Sequence, residues 1–414
     1  MTRAWFFLIL LLLCCNGCDT EVEVLVPDYH AAGLLNGTAA VPWSALDAME
    51  GVYEVTEGNA LLGRQVVIRH TRNVLSIFGE RDAVYCILES GMADSSLLFA
   101  GYWRKQVGTE TGIFQVSVAA DEGGRALLTG GQAVPGSIIL AGDLGNAIGS
   151  GKRPVRCIYR RPLYTSDTPF LILAHRAGGR NSDYLPASEN SAELVKLAEF
   201  FGANGVEIDV QLTKDGVPVI YHDEDMNLRL NQKSGLVGSV SEYTLAQIES
   251  FVRLRNGERI PTLRRMLATI LRQTSLKVVW LDIKPSVPLS MLTNLQREYA
   301  DSARTLGRDL TIVIGIPDAE KAQELQQLPD YRRANVLCEL DMETTRALDA
   351  DVWAPRWTLG TQNERVAEMQ NEGRRVLTWT LDQAAYIEQF IRTGRFDGIL
   401  TNYPALVAYY YYSQ

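Results

Sequence analysis

The hydrophobic rhythm of the chain changes near residue 166. Before that point, short apolar runs lie at 51–55, 65–70, 74–78, 84–88, 97–104, 112–119, 126–128, 137–141 and 155–159, separated by Gly-rich or charged turns. Closely spaced runs bounded by turn residues predict antiparallel strands, and so many in succession predict an all-β domain, either a barrel or a sandwich. After it, strand-like runs at 170–174, 206–210, 217–221, 276–283, 310–316, 336–340, 352–353, 376–380 and 398–401 alternate with stretches of helical spacing at 188–201, 262–272, 289–303, 319–328, 363–372 and 383–392. Such alternation over about 250 residues predicts an α/β fold, a (β/α)8 TIM-like barrel.

Nine strand candidates compete for eight places. The turn Lys214-Asp215-Gly216 is too tight for a parallel crossover, so 217–221 is expected to fold back as a hairpin on the strand before it. A doubly wound sheet is the competing architecture, disfavoured because no G-x-G-x-x-G loop follows the first strand. The expected domains are a signal segment at 1–17, a tether at 18–45, the all-β domain at 46–165 and the barrel at 166–414.

Chemistry gathers in residues 171–223. That stretch holds His175 and His222, two of the four histidines in the chain, each closing a short apolar run. Between them stands Glu207-Ile208-Asp209, whose carboxylates share one face of a strand through their i, i+2 spacing. Arg176 follows the first histidine, and Asp282 ends a later strand. Active sites of such barrels lie at the C-terminal ends of the strands. Two imidazoles, three carboxylates and an Arg collected there point to metal-assisted hydrolysis.

Further motifs recur in order: His175-Arg176-Ala177-Gly178, Glu189-Asn190-Ser191, GVEIDVQLTKDGVPVIYHD ending at Asp223, IPTL at 260–263, Asp282-Ile283-Lys284, Trp379-Thr380 and DGILTNYP at 397–404. In this the second domain resembles the glycerophosphodiester phosphodiesterase family. The resemblance implies hydrolysis of a phosphodiester to an alcohol and glycerol 3-phosphate. It implies one divalent cation, Ca²⁺ or Mg²⁺, held by Glu207, Asp209 and Asp282, all hard oxygen donors. It implies His175 and His222 as the acid/base pair, in an order left open, and Arg176 and Lys284 as phosphate clamps. Glu189 and Asn190 would orient the first histidine or a substrate hydroxyl, and Trp379 would pack on the alcohol. Two departures stand out. Ala177 replaces the family's usual Gly, with the following loop lengthened around Asn181-Ser182-Asp183-Tyr184-Leu185, and Asp282 replaces the commoner Glu. Competing readings are a lysophospholipase D-like or phosphoinositide phospholipase C-like activity, or a non-catalytic lipid- or glycan-binding lipoprotein.

Charge and cysteine usage set the surroundings. A formal charge of −9 argues against a nucleic-acid partner. Arg3, an apolar run at 5–13 and Gly17-Cys18 resemble a bacterial lipoprotein signal, and the run is short of the roughly 20 residues a spanning helix needs. The expectation is lipidation at Cys18 and a membrane-surface location facing the periplasm or exterior, with plain secretion as the alternative. In such a compartment Cys86 and Cys157 are either a disulfide or buried thiols. Composition does not speak to oligomeric state.

Overall fold

The structure, a computed structural model, describes residues 26–414 apart from Val107. The signal segment, Cys18 and the start of the tether lie outside the described residues.

Eight antiparallel strands form the first domain: β1 (Gly51–Glu57), β2 (Gln65–Thr71), β3 (Val74–Gly79), β4 (Val84–Ala93), β5 (Ser96–Lys105), β6 (Thr111–Val118), β7 (Ile139–Leu144) and β8 (Arg153–Arg161). Each pairs with its sequence neighbour, and β8 returns to β1, so the sheet closes into a barrel rather than splitting into a sandwich. Closure removes both sheet edges. Alternating side chains such as Tyr53, Ile68, Ile77, Leu88, Phe99 and Phe114 fill the interior. The run at 126–128, expected as a strand, is the end of a one-turn helix, Arg125–Leu128. It is too short to show a period, so its apolar content alone was ambiguous. Cys86 and Cys157 both face this interior as free, buried thiols.

The second domain is the expected barrel. Its parallel strands are β9 (Leu171–Ala174), β10 (Gly205–Leu212), β14 (Val278–Ile283), β15 (Thr311–Ile316), β16 (Val336–Cys338), β17 (Val352–Trp353), β18 (Arg375–Thr378) and β19 (Gly398–Thr401), with β19 pairing back to β9 and β9 to β10. The extra candidate is β11 (Pro218–Ile220), antiparallel on β10. A small hairpin of β12 (Asp225–Met226) and β13 (Gly238–Ser239) follows it. Leu171, Leu173, Trp280, Val313, Leu337 and Leu377 fill the barrel interior. The outward faces of the strands pack under helices such as Leu263–Gln273 and Leu289–Thr305. No described helix is long and apolar enough to cross a membrane.

The two barrels share one apolar cluster. Phe78, Tyr85 and Tyr102 of the first meet Leu194, Phe201 and Ala408 of the second, and the Tyr85 and Phe201 rings lie 4.8 Å apart. The tyrosine run near the chain end sits in the helix Pro404–Tyr412, which touches both barrels: Tyr409 Oη accepts from Gln65 at 3.0 Å and Tyr412 Oη from Arg69 at 2.8 Å.

Candidate active site

Strand register assembles the site. Thr401 and Val206 both pair with Ala174. The next residue on each strand therefore lands beside His175: Asn402 on one side and Glu207 on the other. His175 Nδ1 is 2.9 Å from Asn402 Oδ1, and its Nε2 is 3.8 Å from Glu207 Oε2. Asn402 is itself fixed, its backbone N–H and side-chain amide both donating to Asp382 at 2.8 and 2.7 Å. With Asn402 Oδ1 accepting, the His175 proton sits on Nδ1 and Nε2 presents its lone pair to the carboxylates. Burial, with the neighbouring Arg176 charge, lowers the His175 pKa to about 4, against the pull of Asp209 and the Asn402 bond. The imidazole is neutral at pH 7.

The carboxylates follow the same logic. Asp209 is the register partner of Asp282, and Glu207 lies two residues earlier on the same face. One oxygen from each lies within 4.8 Å of the others. Glu207 is buried; burial first, then Asp209 and Asp282, raise its pKa well above the usual range. Glu207 Oε2 accepts from the Arg176 backbone N–H at 2.7 Å, while Oε1 is buried without a partner. Lys284 Nζ bridges Asp209 and Asp282 at 2.6 and 2.7 Å. Burial opposes ionisation of Asp209, but Lys284 and the two histidines outweigh it and hold its pKa below the usual range. Three hard oxygen donors within 4.8 Å, two of them sharing one ammonium and the third with an orphaned carboxylate oxygen, fit a divalent cation.

His222 enters from the hairpin. Because β11 runs back along β10, the Tyr221 N–H reaches Asp209 O at 2.9 Å and His222 arrives beside the carboxylates. Its Nδ1 lies 2.6 Å from Asp223 Oδ1, and its Nε2 accepts from Arg176 Nη2 at 2.7 Å. Arg229 also binds Asp223, at 2.5 Å, and reaches Glu189 at 3.1 Å.

The sequence-predicted residues are brought together, with some roles moved. Glu189 does not touch His175; it accepts from Arg176 Nη1 at 2.9 Å, from Arg229 and from the Asn181 N–H. Asn190 donates to Asp209 Oδ2 at 2.7 Å and so orients a carboxylate, not an imidazole. Both lead into the helix Ala192–Ala198, whose N-cap Ser191 accepts from Leu194 N–H. Lys284 lies on the carboxylates, and Trp379 lines the mouth, its Nε1 donating to Ala354 O at 2.7 Å and its ring 6.4 Å from Trp280. Asn402, Asp223 and Arg229 are functional neighbours that sequence reasoning did not assign. Asn402 and Asp223 stood inside quoted motifs; nothing in the sequence marked Arg229. Arg176 and Ala177 have φ of +52° and +68°, the left-handed region where glycine is favoured. At Ala177 a glycine would adopt this conformation without steric cost.

The glycerophosphoryl diester phosphodiesterase family model matches residues 175–406. A glycerophosphodiester phosphodiesterase of Caldanaerobacter subterraneus is 27% identical over 243 residues, 56% of this chain and 94% of that protein. The mouse glycerophosphodiester phosphodiesterase 1 is 31% identical over 134 residues, 31% of this chain and 38% of its own length. Among solved structures, an Oleispira antarctica phosphodiesterase in complex with the product sn-glycerol-3-phosphate is 21% identical, with a TM-score of 0.44 over 58% of this chain and 95% of that one.

Proposed function

Because the chain belongs to the glycerophosphoryl diester phosphodiesterase family, we propose that it hydrolyses glycerophosphodiesters to an alcohol and glycerol 3-phosphate, using a divalent cation and a histidine pair. One observation carries this reading: Glu207, Asp209 and Asp282 converge within 4.8 Å, with His175 and His222 arriving from different strands. A cation held by these three carboxylates, Ca²⁺ or Mg²⁺ in type, would supply positive charge to the phosphoryl oxygens.

Neutral His175, its Nε2 bare and its ring fixed by Asn402, serves as general base. It takes the proton of the attacking water as the water oxygen bonds to phosphorus. His222 serves as general acid, because the Asp223 carboxylate behind Nδ1 supports the imidazolium. As the phosphorus–oxygen bond to the alcohol breaks, the leaving oxygen takes a proton from His222 Nε2, which first gains it from solvent because that atom otherwise holds a lone pair toward Arg176. For that, Arg176 Nη2 must leave His222 Nε2, and the arriving phosphate gives it a better partner through bidentate contact. Glu189 steers the guanidinium from behind.

The same reading keeps the enzyme exported and lipid-anchored at Cys18, supported by the apolar run at 5–13 and the Gly17-Cys18 pair. Mass spectrometry of the mature N-terminus from a membrane fraction tests it; an unmodified Cys18 in soluble protein overturns it. The activity is tested by incubating purified protein with glycerophosphocholine, glycerophosphoethanolamine and lysophosphatidylcholine, with and without chelator. Chelator-sensitive release of glycerol 3-phosphate from the first two is expected. No such release sinks the proposal, and turnover confined to the lysolipid moves it to the lysophospholipase reading.

A further inference from the structure

The first barrel reaches the residue that holds His175. Beyond the end of β5, Gln106 is fully buried, and its Nε2 donates to the Asn402 backbone carbonyl at 2.7 Å. Asn402, also buried, carries the Oδ1 that fixes His175 Nδ1. Two residues before Gln106, buried Arg104 donates from Nη2 to the Tyr184 carbonyl, in the loop that lengthens this chain after Gly178. Gly179 clears the approach: a Cβ there would lie 3.2 Å from Asn402 O and 3.8 Å from Gln106 Nε2, and its φ of +141° suits only glycine. A buried donor and a missing side chain thus meet at one backbone carbonyl, and the 181–185 loop packs on the same glycine through Leu185, whose Cδ1 lies 2.7 Å from the Cβ position.

We propose that Gln106 is a positioning residue for His175, so that the all-β domain completes the active site of the other barrel by holding Asn402. The proposal rests on His175 acting as the base of the reaction above. Asp382 anchors the Asn402 amide from within the second barrel, and Gln106 anchors its carbonyl from the first. With both ends held, Oδ1 has one place to be, and His175 keeps a single tautomer and ring orientation. Without Gln106, residue 402 is held from one side only, with its carbonyl unsatisfied in a buried place.

The test is Gln106→Met, which keeps length and removes the donor, in the full chain. Three readouts are needed: kcat and KM for glycerophosphocholine, the thermal midpoint, and ¹⁵N imidazole spectra, which four histidines keep sparse. The expected result is a kcat lower by about tenfold or more, KM changed less than about twofold, and loss of the single Nδ1–H signature of His175. Unchanged kcat and unchanged tautomer overturn the proposal. So does a fall in kcat that comes with a collapsed midpoint while the tautomer stays single, since that is a merely structural role. If wild-type protein proves inactive yet Gln106→Met still loses the tautomer, the proposed function fails and the positioning stands. Arg104→Met is the second variant: its expected effect is on the 181–185 loop, with the His175 signature retained.

Discussion

Arg176 Nη2 donates to His222 Nε2 across 2.7 Å while its Nη1 holds Glu189 at 2.9 Å. One guanidinium therefore covers the atom from which the leaving oxygen would take its proton, and substrate phosphate has to draw it away. Arg176→Lys keeps the charge and loses the fork. It should lower kcat/KM by about tenfold or more, with the loss shared between kcat and KM, in steady-state assays. A variant as active as wild type would refute the uncovering step.

His175→Ala and His222→Ala should each cost about 10²- to 10⁴-fold in turnover with circular dichroism unchanged. Near-normal rates in either would remove that residue from the acid/base pair.

Cation removal should act on stability as well as on rate. With Glu207, Asp209 and Asp282 packed together and Glu207 Oε1 unpartnered, a bound divalent ion relieves repulsion in the folded state alone. At about a hundredfold excess over Kd it should add about 2.7 kcal/mol, visible as a raised thermal midpoint. Asp282→Asn should abolish most of that rise. A midpoint indifferent to Ca²⁺, Mg²⁺ and chelator would contradict the assigned site.

Glu339 makes stability depend on pH. It follows β16 at the barrel mouth, where burial first and then Asp282 push its carboxyl from 4.5 up to about 8, against Lys284 and Arg356. A carboxyl whose folded pKa is raised keeps its proton when the unfolded chain has lost it, so stability falls as pH rises from about 4.5 to about 8. Glu339→Gln removes the titration. In chelator, the variant should match wild type at pH 4 and exceed it at pH 8 by up to about 4 kcal/mol in urea unfolding. Equal stability at both pH values would exclude the effect.

Ala177→Gly weighs three small effects. Relief of the left-handed backbone is worth about 1–2 kcal/mol. The extra freedom of unfolded glycine costs about 0.5–1, and the buried methyl about 0.8. These nearly cancel, so the melting midpoint should move by only a few degrees. A large loss would mean that the Ala177 methyl, fully buried, holds the loop by packing.

The sequence made some of this legible and hid the rest for physical reasons. Glu207 and Asp209 could be placed on one face because strand period is local, and the tight Lys214–Gly216 turn foretold the return of His222. What β10 and β14 add is register: nothing local said that Asp282 would stand opposite Asp209 rather than one residue away. Asn402 and His175 are 227 positions apart, and only barrel closure between β19 and β9 joins them. Glu189 and Asn190 were found by motif, but their partners, Arg176 with Arg229 and Asp209, depend on side-chain directions that spacing does not carry. Short elements such as Arg125–Leu128 and Met342–Ala347 span too few residues to show a period.

The helix Pro404–Tyr412 has a consequence for the order of folding. The first barrel is built from neighbouring hairpins and can close while the rest of the chain is still being made. Its docking face cannot be finished then, because the tyrosines that bind Gln65 and Arg69 are synthesised more than 300 residues later, roughly a quarter of a minute to a minute at ribosomal speeds. During that interval Phe78, Tyr85 and Tyr102 can meet Leu194 and Phe201 but still lack Ala408. The small barrel is a piece built from local hairpins whose docking face is completed only once Pro404–Tyr412 has been made.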